Sequence, residues 1–501
     1  MANFLDLDIS CSLKFWFIKL QTVPGKELLN VPAAVCVKDI VGKWVASLLL
    51  TRTGGNMMKR LLVFLCASAL VFCLVCPVMA GGIDNKHNYS AEYIRTLNRN
   101  GATDSADGVV YNPAGTVKME DGFYANVTGQ YAIKTYTNKI GGIDYESDEP
   151  DFVPGVFALF TKDRWAGYAA FTIPAGGGSV EYENGTATTA LVGQRFGQMA
   201  NLMLTLPPTS LPLGNYYDRL KSQRLEGESY YYGFTFGGAF ELNDMFSFSL
   251  GGRYIDATQT DVKASVTIAD STGTFPDQTA AVDLDTTATG WGAIIGLNFA
   301  PTEQFNLGIR YETKTDLDFE TDVKRDTQGI LPMLGVIDGE ENSRDLPALL
   351  GVGASLNITP QFRAEGNLTY YFNEDADWTG NLTSQNGLLG RPNTDRDNGY
   401  DVGVALEYTF TDQWLASFGY MFTETGIDPD NMTYEAPELD AHCIAGGVRW
   451  TPVPRLDLNL SVLKAFYQSE TTTPIPGVFP TGVELEKDVV IIALGAQYKF
   501  W

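Results

Sequence analysis

The chain is poor in the residues that most often carry chemistry. Among 501 residues there are two histidines, His87 and His442, and six cysteines. A hydrolase commonly sets a nucleophile beside a base, most often a histidine. Two histidines 355 positions apart offer no evident triad, and with scattered cysteines they make no metal cluster. Asp and Glu are plentiful but nothing pairs them for acid–base work, and Gly176-Gly177-Gly178 lacks the Walker and dinucleotide spacings. No enzyme, no cofactor and no metal site is expected. Basic charge is scarce as well, with 35 Lys and Arg against 60 Asp and Glu for a net of −25. That balance excludes nucleic acid, whose phosphates need a basic face.

Long hydrophobic runs are nearly absent. The exception is "MMKRLLVFLCASALVFCLVCPVMA", residues 57–80, in which Lys59 and Arg60 precede an apolar run ending at the small-residue site Val78-Met79-Ala80. This is the pattern of a secretory signal cleaved after Ala80. Residues 1–56 have neither clear periodicity nor export character. They read as an upstream extension from a start assigned too early, with Met57 or Met58 as the true start. Only Cys443 lies beyond residue 80, so the exported chain is expected to have no internal disulfide.

Glycine and aromatics are abundant: 51 Gly, 24 Tyr and 28 Phe. From residue 121 onward they fall into a period of two. In "RLDLNLSVLKAF", Leu456, Leu458, Leu460 and Val462 share one face, opposite Asp457, Asn459 and Ser461. "YDVGVALEYTF" and "MFSFSLGGRY" alternate in the same way. Segments of about ten to thirteen residues suit tilted membrane strands, and aromatics collect at their ends as interfacial girdles do. The apolar face is then the lipid face, and the polar, Gly-rich face lines a lumen.

Fourteen strands are expected, near 121–135, 150–161, 164–174, 229–241, 245–258, 287–299, 304–316, 346–358, 361–373, 399–410, 414–424, 441–451, 455–467 and 487–500. Six connections are tight and seven are longer, the largest being 175–228. Short turns on one side and long loops on the other describe an outer-membrane barrel with both termini periplasmic. The fold class is all-β, a 14-stranded antiparallel transmembrane barrel over residues 121–501. Its end, "IIALGAQYKFW", resembles the C-terminal assembly signal read by the barrel-assembly machinery, with Trp501 one residue past the usual final Phe. Lys464 falls on the lipid parity near the outer interface, where it could snorkel toward lipid and lipopolysaccharide head groups.

A fourteen-stranded barrel encloses a lumen that is either open or plugged. Residues 81–120 are small and polar and precede the first strand, which suits a plug folded against a polar inner wall. Asn112-Pro113-Ala114 would fix a turn there. The segments "TLNRNGATDSADGVVYNPAGTV", "IPAGGGSVEYENG" and "DLPALLGVG" resemble the outer-membrane long-chain fatty acid transporter family (FadL, TodX-type and OmpP1-like proteins). The resemblance covers essentially residues 81–501. It implies an N-terminal hatch carrying Asn112, Pro113 and Ala114, and passive uptake of hydrophobic compounds, foremost long-chain fatty acids. It also implies extracellular capture, release linked to hatch movement and a lateral opening, and a monomer.

Two groups of residues are compatible with that role. The 175–228 segment is far too apolar for an ordinary loop, and Phe196, Met199, Leu202, Met203, Leu206, Leu211, Leu213, Tyr216 and Tyr217 are its ligand-capture candidates. Arg253 and Arg310 lie on the inward parity and are candidate partners for a carboxylate, although each could equally pair with Glu312. Uptake of aromatic or aliphatic hydrocarbons is one alternative. A general porin for small polar solutes is another, and would need an open lumen.

Overall fold

The computed structural model describes residues 89–378, 384–389 and 396–501. The expected extension 1–56 and export signal 57–80 lie outside the described residues. Fourteen strands form the wall: β1 (Gly122–Ile140), β2 (Asp151–Lys162), β3 (Trp165–Tyr182), β4 (Arg219–Asn243), β5 (Phe246–Ala269), β6 (Gln278–Thr302) and β7 (Phe305–Glu312), then β8 (Ala348–Asn357), β9 (Phe362–Phe372), β10 (Gly399–Thr411), β11 (Trp414–Glu424), β12 (Ala441–Val453), β13 (Leu456–Tyr467) and β14 (Glu484–Lys499). Each pairs antiparallel with its neighbours in sequence. The ring closes where β1 pairs β14, from Tyr124↔Lys499 to Lys139↔Glu484. Closure is what lipid demands, since an open edge there would leave backbone groups without partners.

Side-chain parity runs as the alternation predicts. On β13, Leu460 and Val462 are about half exposed on the outer surface, whereas Ser461 between them is buried inside. Beside the short turns Phe123, Phe160, Trp165, Phe500 and Trp501 pack together, and Trp414 stacks on Trp450 at 5.7 Å. This row is an interfacial girdle.

The strands depart from expectation in extent. β3 continues to Tyr182 and β4 begins at Arg219, so much of the expected 175–228 loop is wall, and the strand-free part is 183–218. β4, β5 and β6 run 25, 24 and 25 residues. At ~3.3 Å per residue and a tilt of ~40°, they span about 60 Å, twice the ~30 Å hydrocarbon layer. Their upper halves therefore stand clear of the membrane. There the lipid-facing alternation gives way to mixed charged and Thr-rich sequence, which is why periodicity missed them. β7 is shorter than expected, ending at Glu312.

Residues 89–118 lie inside the barrel, nearly all of them buried. Helix α1 (Ala91–Thr96) starts at Ser90, whose side chain accepts the Tyr93 N–H, and ends where Leu97 turns left-handed at φ 55°. A short helix α2 (Gly108–Tyr111) and a 3-10 turn (Pro113–Lys118) complete the segment. Wall glycines make room for it. A β-carbon at Gly353 would sit 2.5 Å from Gly101 N, one at Gly155 2.7 Å from Tyr89 O, and one at Gly495 2.9 Å from the Ala91 β-carbon. The Gly-rich inner face thus lets the backbone of the plug lie directly on the backbone of the wall.

Candidate functional site

The plug is braced internally before it meets the wall. Arg99 donates to Asp107 at 2.6 and 3.0 Å and to Asp104 at 2.8 Å, while Ser90 Oγ donates to Asp107 at 2.7 Å. Outward, Arg95 bonds Glu407 and Ser417, and Arg363 joins Glu407 to Asp104. At the seam, Ala91 N donates to Thr128 on β1 and Ser461 on β13 donates to Ala91 O. Glu92 accepts from Asn126 and Asn459, and Gln497 on β14 accepts from Ala106 N. Charged and amide groups cut off from water need such partners.

Asn112, Pro113 and Ala114 are all buried. Asn112 donates to Ala102 O at 3.0 Å and to Asn298 at 2.8 Å, Pro113 opens the 3-10 turn, and Ala114 O accepts from Ser247. Arg253 and Arg310 do face inward, and both are committed there. Arg253 forks onto Glu312 at 2.8 and 3.2 Å, and Arg310 reaches Glu312 at 3.2 Å while donating to Val110 O. Arg310 thus ties the wall to the plug, while Arg253 ties β5 to β7.

Above the plug the barrel holds a cavity of about 320 Å³. Helix α3 (Ala187–Met203) roofs it. Thr186 and Thr189 form a reciprocal N-terminal cap, Ala187 N is held by Asn138 of β1, and Thr186 Oγ donates to Glu435 at 2.8 Å. The lining is largely apolar: Val180, Val192, Leu225, Tyr231, Val266, Val282, Phe319, Ile330, Leu331 and Leu334 among others, with Arg344, Trp378, Glu435 and Glu438 at its polar part. Size and lining are those of a small-molecule site.

None of the nine capture candidates lines this cavity. Phe196 and Tyr217 are buried between α3 and the upper strands with Val266, Ile268 and Ile330, and Met199 packs against that cluster. Leu202, Met203, Leu206 and Leu213 are exposed on the outer surface, Leu213 by 80%. Leu211 is half-buried, and Tyr216 packs edge-on to Phe275 at 5.5 Å. Sequence reasoning missed the 3-10 turn Leu331–Leu334. Its signal was present in "ILPMLGV", an apolar run inside an acidic loop.

The cavity reaches a break in the wall. β2 pairs β3 only from Val156↔Phe171 to Lys162↔Trp165, and its upper residues Asp151–Gly155 pair β1 alone. β3 meanwhile continues on β4 with register shifts at Thr172/Ala175 and Ala175/Gly178. Pro174 cannot donate a ladder bond, and Gly176 and Gly178 have φ of 102° and 71°. Asp151 pins the bend, accepting from Lys134, from Ser179 N and Oγ at 3.2 and 3.0 Å, and from Tyr230 OH at 2.8 Å. Ala175 and Gly176 line the cavity at this point.

At the polar part, Trp378 is held by its Nε1–H donating to Asp345 O at 2.9 Å. The Arg396 guanidinium lies 3.8 Å from its ring centre and that of Arg344 5.5 Å. Burial, helped by the Arg344 charge and opposed by Glu438, pulls the Arg396 guanidinium down to about 10.

A family model for outer membrane transport proteins (OMPP1/FadL/TodX) matches residues 228–500. A search among curated proteins returned no match. Among solved structures the chain resembles a Pseudomonas aeruginosa FadL homologue (TM-score 0.58, 15% identity, 82% of this chain and 98% of that one). It also resembles the Pseudomonas putida toluene transporter TodX (0.55, 11%, 80% and 96%) and the Ralstonia pickettii toluene transporter TbuX (0.52, 14%, 80% and 96%). At these identities the likeness shows a shared fold.

Proposed function

Since the chain belongs to the OMPP1/FadL/TodX family of outer-membrane channels for hydrophobic compounds, we propose that its cargo is long-chain fatty acids, taken up passively. The observation that carries this reading is the apolar cavity between a plugged lumen and an interrupted wall. Cargo is captured at the extracellular loops, where Leu202, Met203, Leu206 and Leu213 are exposed, and moves beneath α3 into the cavity. The packed plug blocks the direct path to the periplasm. Release runs through the break between β2 and β3, where a hydrophobic molecule passes sideways into lipid without crossing water, and movement of Asn112-Pro113-Ala114 governs it. Desolvation then costs little at any step.

Hydrocarbon uptake is the second reading. It is supported by the mainly apolar lining and by the fold shared with toluene transporters. The test is uptake of labelled long-chain fatty acid by cells lacking their own importer and expressing residues 57–501, with insertion checked by a heat-dependent gel shift. Restored uptake, lost on replacing Asn112-Pro113-Ala114, supports the reading. No uptake despite insertion rejects fatty acids and turns the assay to hydrocarbons, then to polar solutes.

A further inference from the structure

The acids that face the interior mostly hold a cation. Glu407 pairs with Arg95 and Arg363, Asp104 and Asp107 with Arg99, Glu312 with Arg253 and Arg310, and Asp151 with Lys134. Glu92 of the plug differs. It is 2% exposed, and among the described residues it has no ion pair. Arg99, the cation whose charge reaches it, is taken up by Asp104 and Asp107. The partners of Glu92 are neutral: its Oε1 accepts from Asn126 Nδ2 at 2.7 Å, Asn459 Nδ2 at 3.0 Å and Ser105 Oγ at 3.4 Å. Three oxygens on these side chains are left over. Glu92 Oε2, Asn126 Oδ1 and Asn459 Oδ1 are all cut off from solvent, and none meets a donor.

Burying a carboxylate without a counter-charge is costly, and the fold imposes it. Asn126 stands on β1 and Asn459 on β13, with β14 between them. There β14 presents Gly495, where a β-carbon would lie 3.6 Å from Glu92 Oε2. An amide has nearly the same shape either way round, so turning Asn126 and Asn459 over puts their carbonyl oxygens where the nitrogens stand. Two carbonyl oxygens, a carboxylate and a hydroxyl then converge. Ser105 Oγ can give its hydrogen to Gln497, at 3.1 Å, and keep lone pairs for the centre. Acceptors alone repel one another, and only a positive charge among them would hold them together. Water would supply hydrogens but leave the carboxylate uncompensated. The set is all oxygen, with no imidazole or thiolate, which selects a hard cation. Ligands drawn from a helix, two strands and a loop suit the adaptable shell of Ca²⁺ better than the strict octahedron of Mg²⁺.

We propose that Glu92, Asn126, Asn459 and Ser105 form a calcium site that pins the plug to the seam of the barrel. The ion joins α1 to β1 and β13, the strands on either side of β14, so its binding favours the plugged, closed ring. Two of its ligands are amides, so no cluster of acids, histidines or cysteines marks it. The site is independent of which hydrophobic compound the channel carries.

The test is equilibrium dialysis of radioactive Ca²⁺ against the purified barrel, freed of lipopolysaccharide, in neutral detergent at pH 8 with Na⁺ in excess. Wild type is expected to bind with a dissociation constant of roughly 10⁻⁴–10⁻³ M, the range of extracellular sites with few charged ligands. Glu92→Gln, which keeps the shape and removes the charge, should weaken that binding at least about tenfold. Asn459→Asp adds a carboxylate and should tighten it about tenfold, since affinity follows the count of charged ligands. Acidic loops that hold Ca²⁺ loosely are the same in every variant and drop out of the comparison. A heat-dependent gel shift confirms each folded barrel. Unchanged binding in folded Glu92→Gln overturns the site. If that variant does not fold, Asn459→Asp carries the test, because a merely structural amide gains no Ca²⁺ affinity from the exchange, and unchanged binding there overturns the site equally. Absence of binding by wild type at about 10 mM Ca²⁺, well above the expected range, overturns it too.

Discussion

Replacing Gly419 on β11 with alanine tests whether the plug is held by backbone-to-backbone fit. A β-carbon at this inward position would lie 2.5 Å from the Thr96 carbonyl carbon and nearer still to its oxygen. Ordinary carbon contacts begin near ~3.5 Å, so about 1 Å must be found. The wall cannot yield, because Gly419 is paired on both sides, to Ala405 and Ala445. Thr96 ends α1, and its carbonyl oxygen accepts the Asn98 side chain at 2.8 Å, so that bond is disturbed first. Arg95, bonded to Glu407 and Ser417, is the adjoining residue. Overpacking of this kind costs about 1–3 kcal/mol, and weakening the neighbouring charged bonds adds about 1.5–3 kcal/mol. A loss of ~3 kcal/mol raises the undocked population of the plug by about two orders of magnitude. The assay is single-channel conductance in planar bilayers together with sugar influx into vesicles, after a heat-shift gel confirms the barrel. Gly366 is the control, since a β-carbon there meets nothing nearer than Gly403 O at 4.0 Å. Conductance in Gly419→Ala no different from Gly366→Ala would refute the fit.

Glu407→Ala should leave the buried Arg95 without its acid, costing about 3–5 kcal/mol and appearing as small-solute leak with the barrel still heat-resistant. Gly178→Ala places a β-carbon against the Asp151 carboxylate at a φ of 71°. Fatty-acid uptake should fall several-fold while equilibrium binding to the cavity stays unchanged, as expected if β3's bend serves release. Changing Leu202, Met203, Leu206 and Leu213 together to serine should alter thermal stability little, since all four are exposed and surface changes cost within about ±0.5 kcal/mol each. Uptake at low substrate should drop and recover at high substrate; unchanged uptake at both would remove these residues from capture.

The wall was legible in the sequence because lipid enforces a period of two. Leu460 and Val462 had to face out and Ser461 in, and the six tight turns fixed the pairing order. The plug was legible as a polar segment with no core of its own. Heights and partners were not. Parity says that Arg253 and Arg310 point inward and brings Glu312 into view as a partner, but whether they close on that acid or stay open to a ligand depends on how far neighbouring strands are staggered, which alternation does not encode. The cavity was hidden for a related reason. Its lining is assembled from α3, the 3-10 turn at Leu331–Leu334, and connections more than a hundred residues apart. The apolar residues that stood out in the 175–228 segment divide between α3's packing face and the outer surface.

The seam between β1 and β14 joins the first and last strands of the wall, and the plug reaches across it. Ala91, Glu92 and Ala106 bond Asn126 and Thr128 on one side and Asn459, Ser461 and Gln497 on the other. These bonds form together only when the first and last strands stand side by side, so docking of the plug stabilises the closed ring. The plug then serves as a gauge: its polar groups are satisfied only at one circumference and one stagger. A barrel sealed one strand short or out of register would carry a row of orphaned amides and charges. The segment that fills the lumen is in this sense also a template for the wall around it.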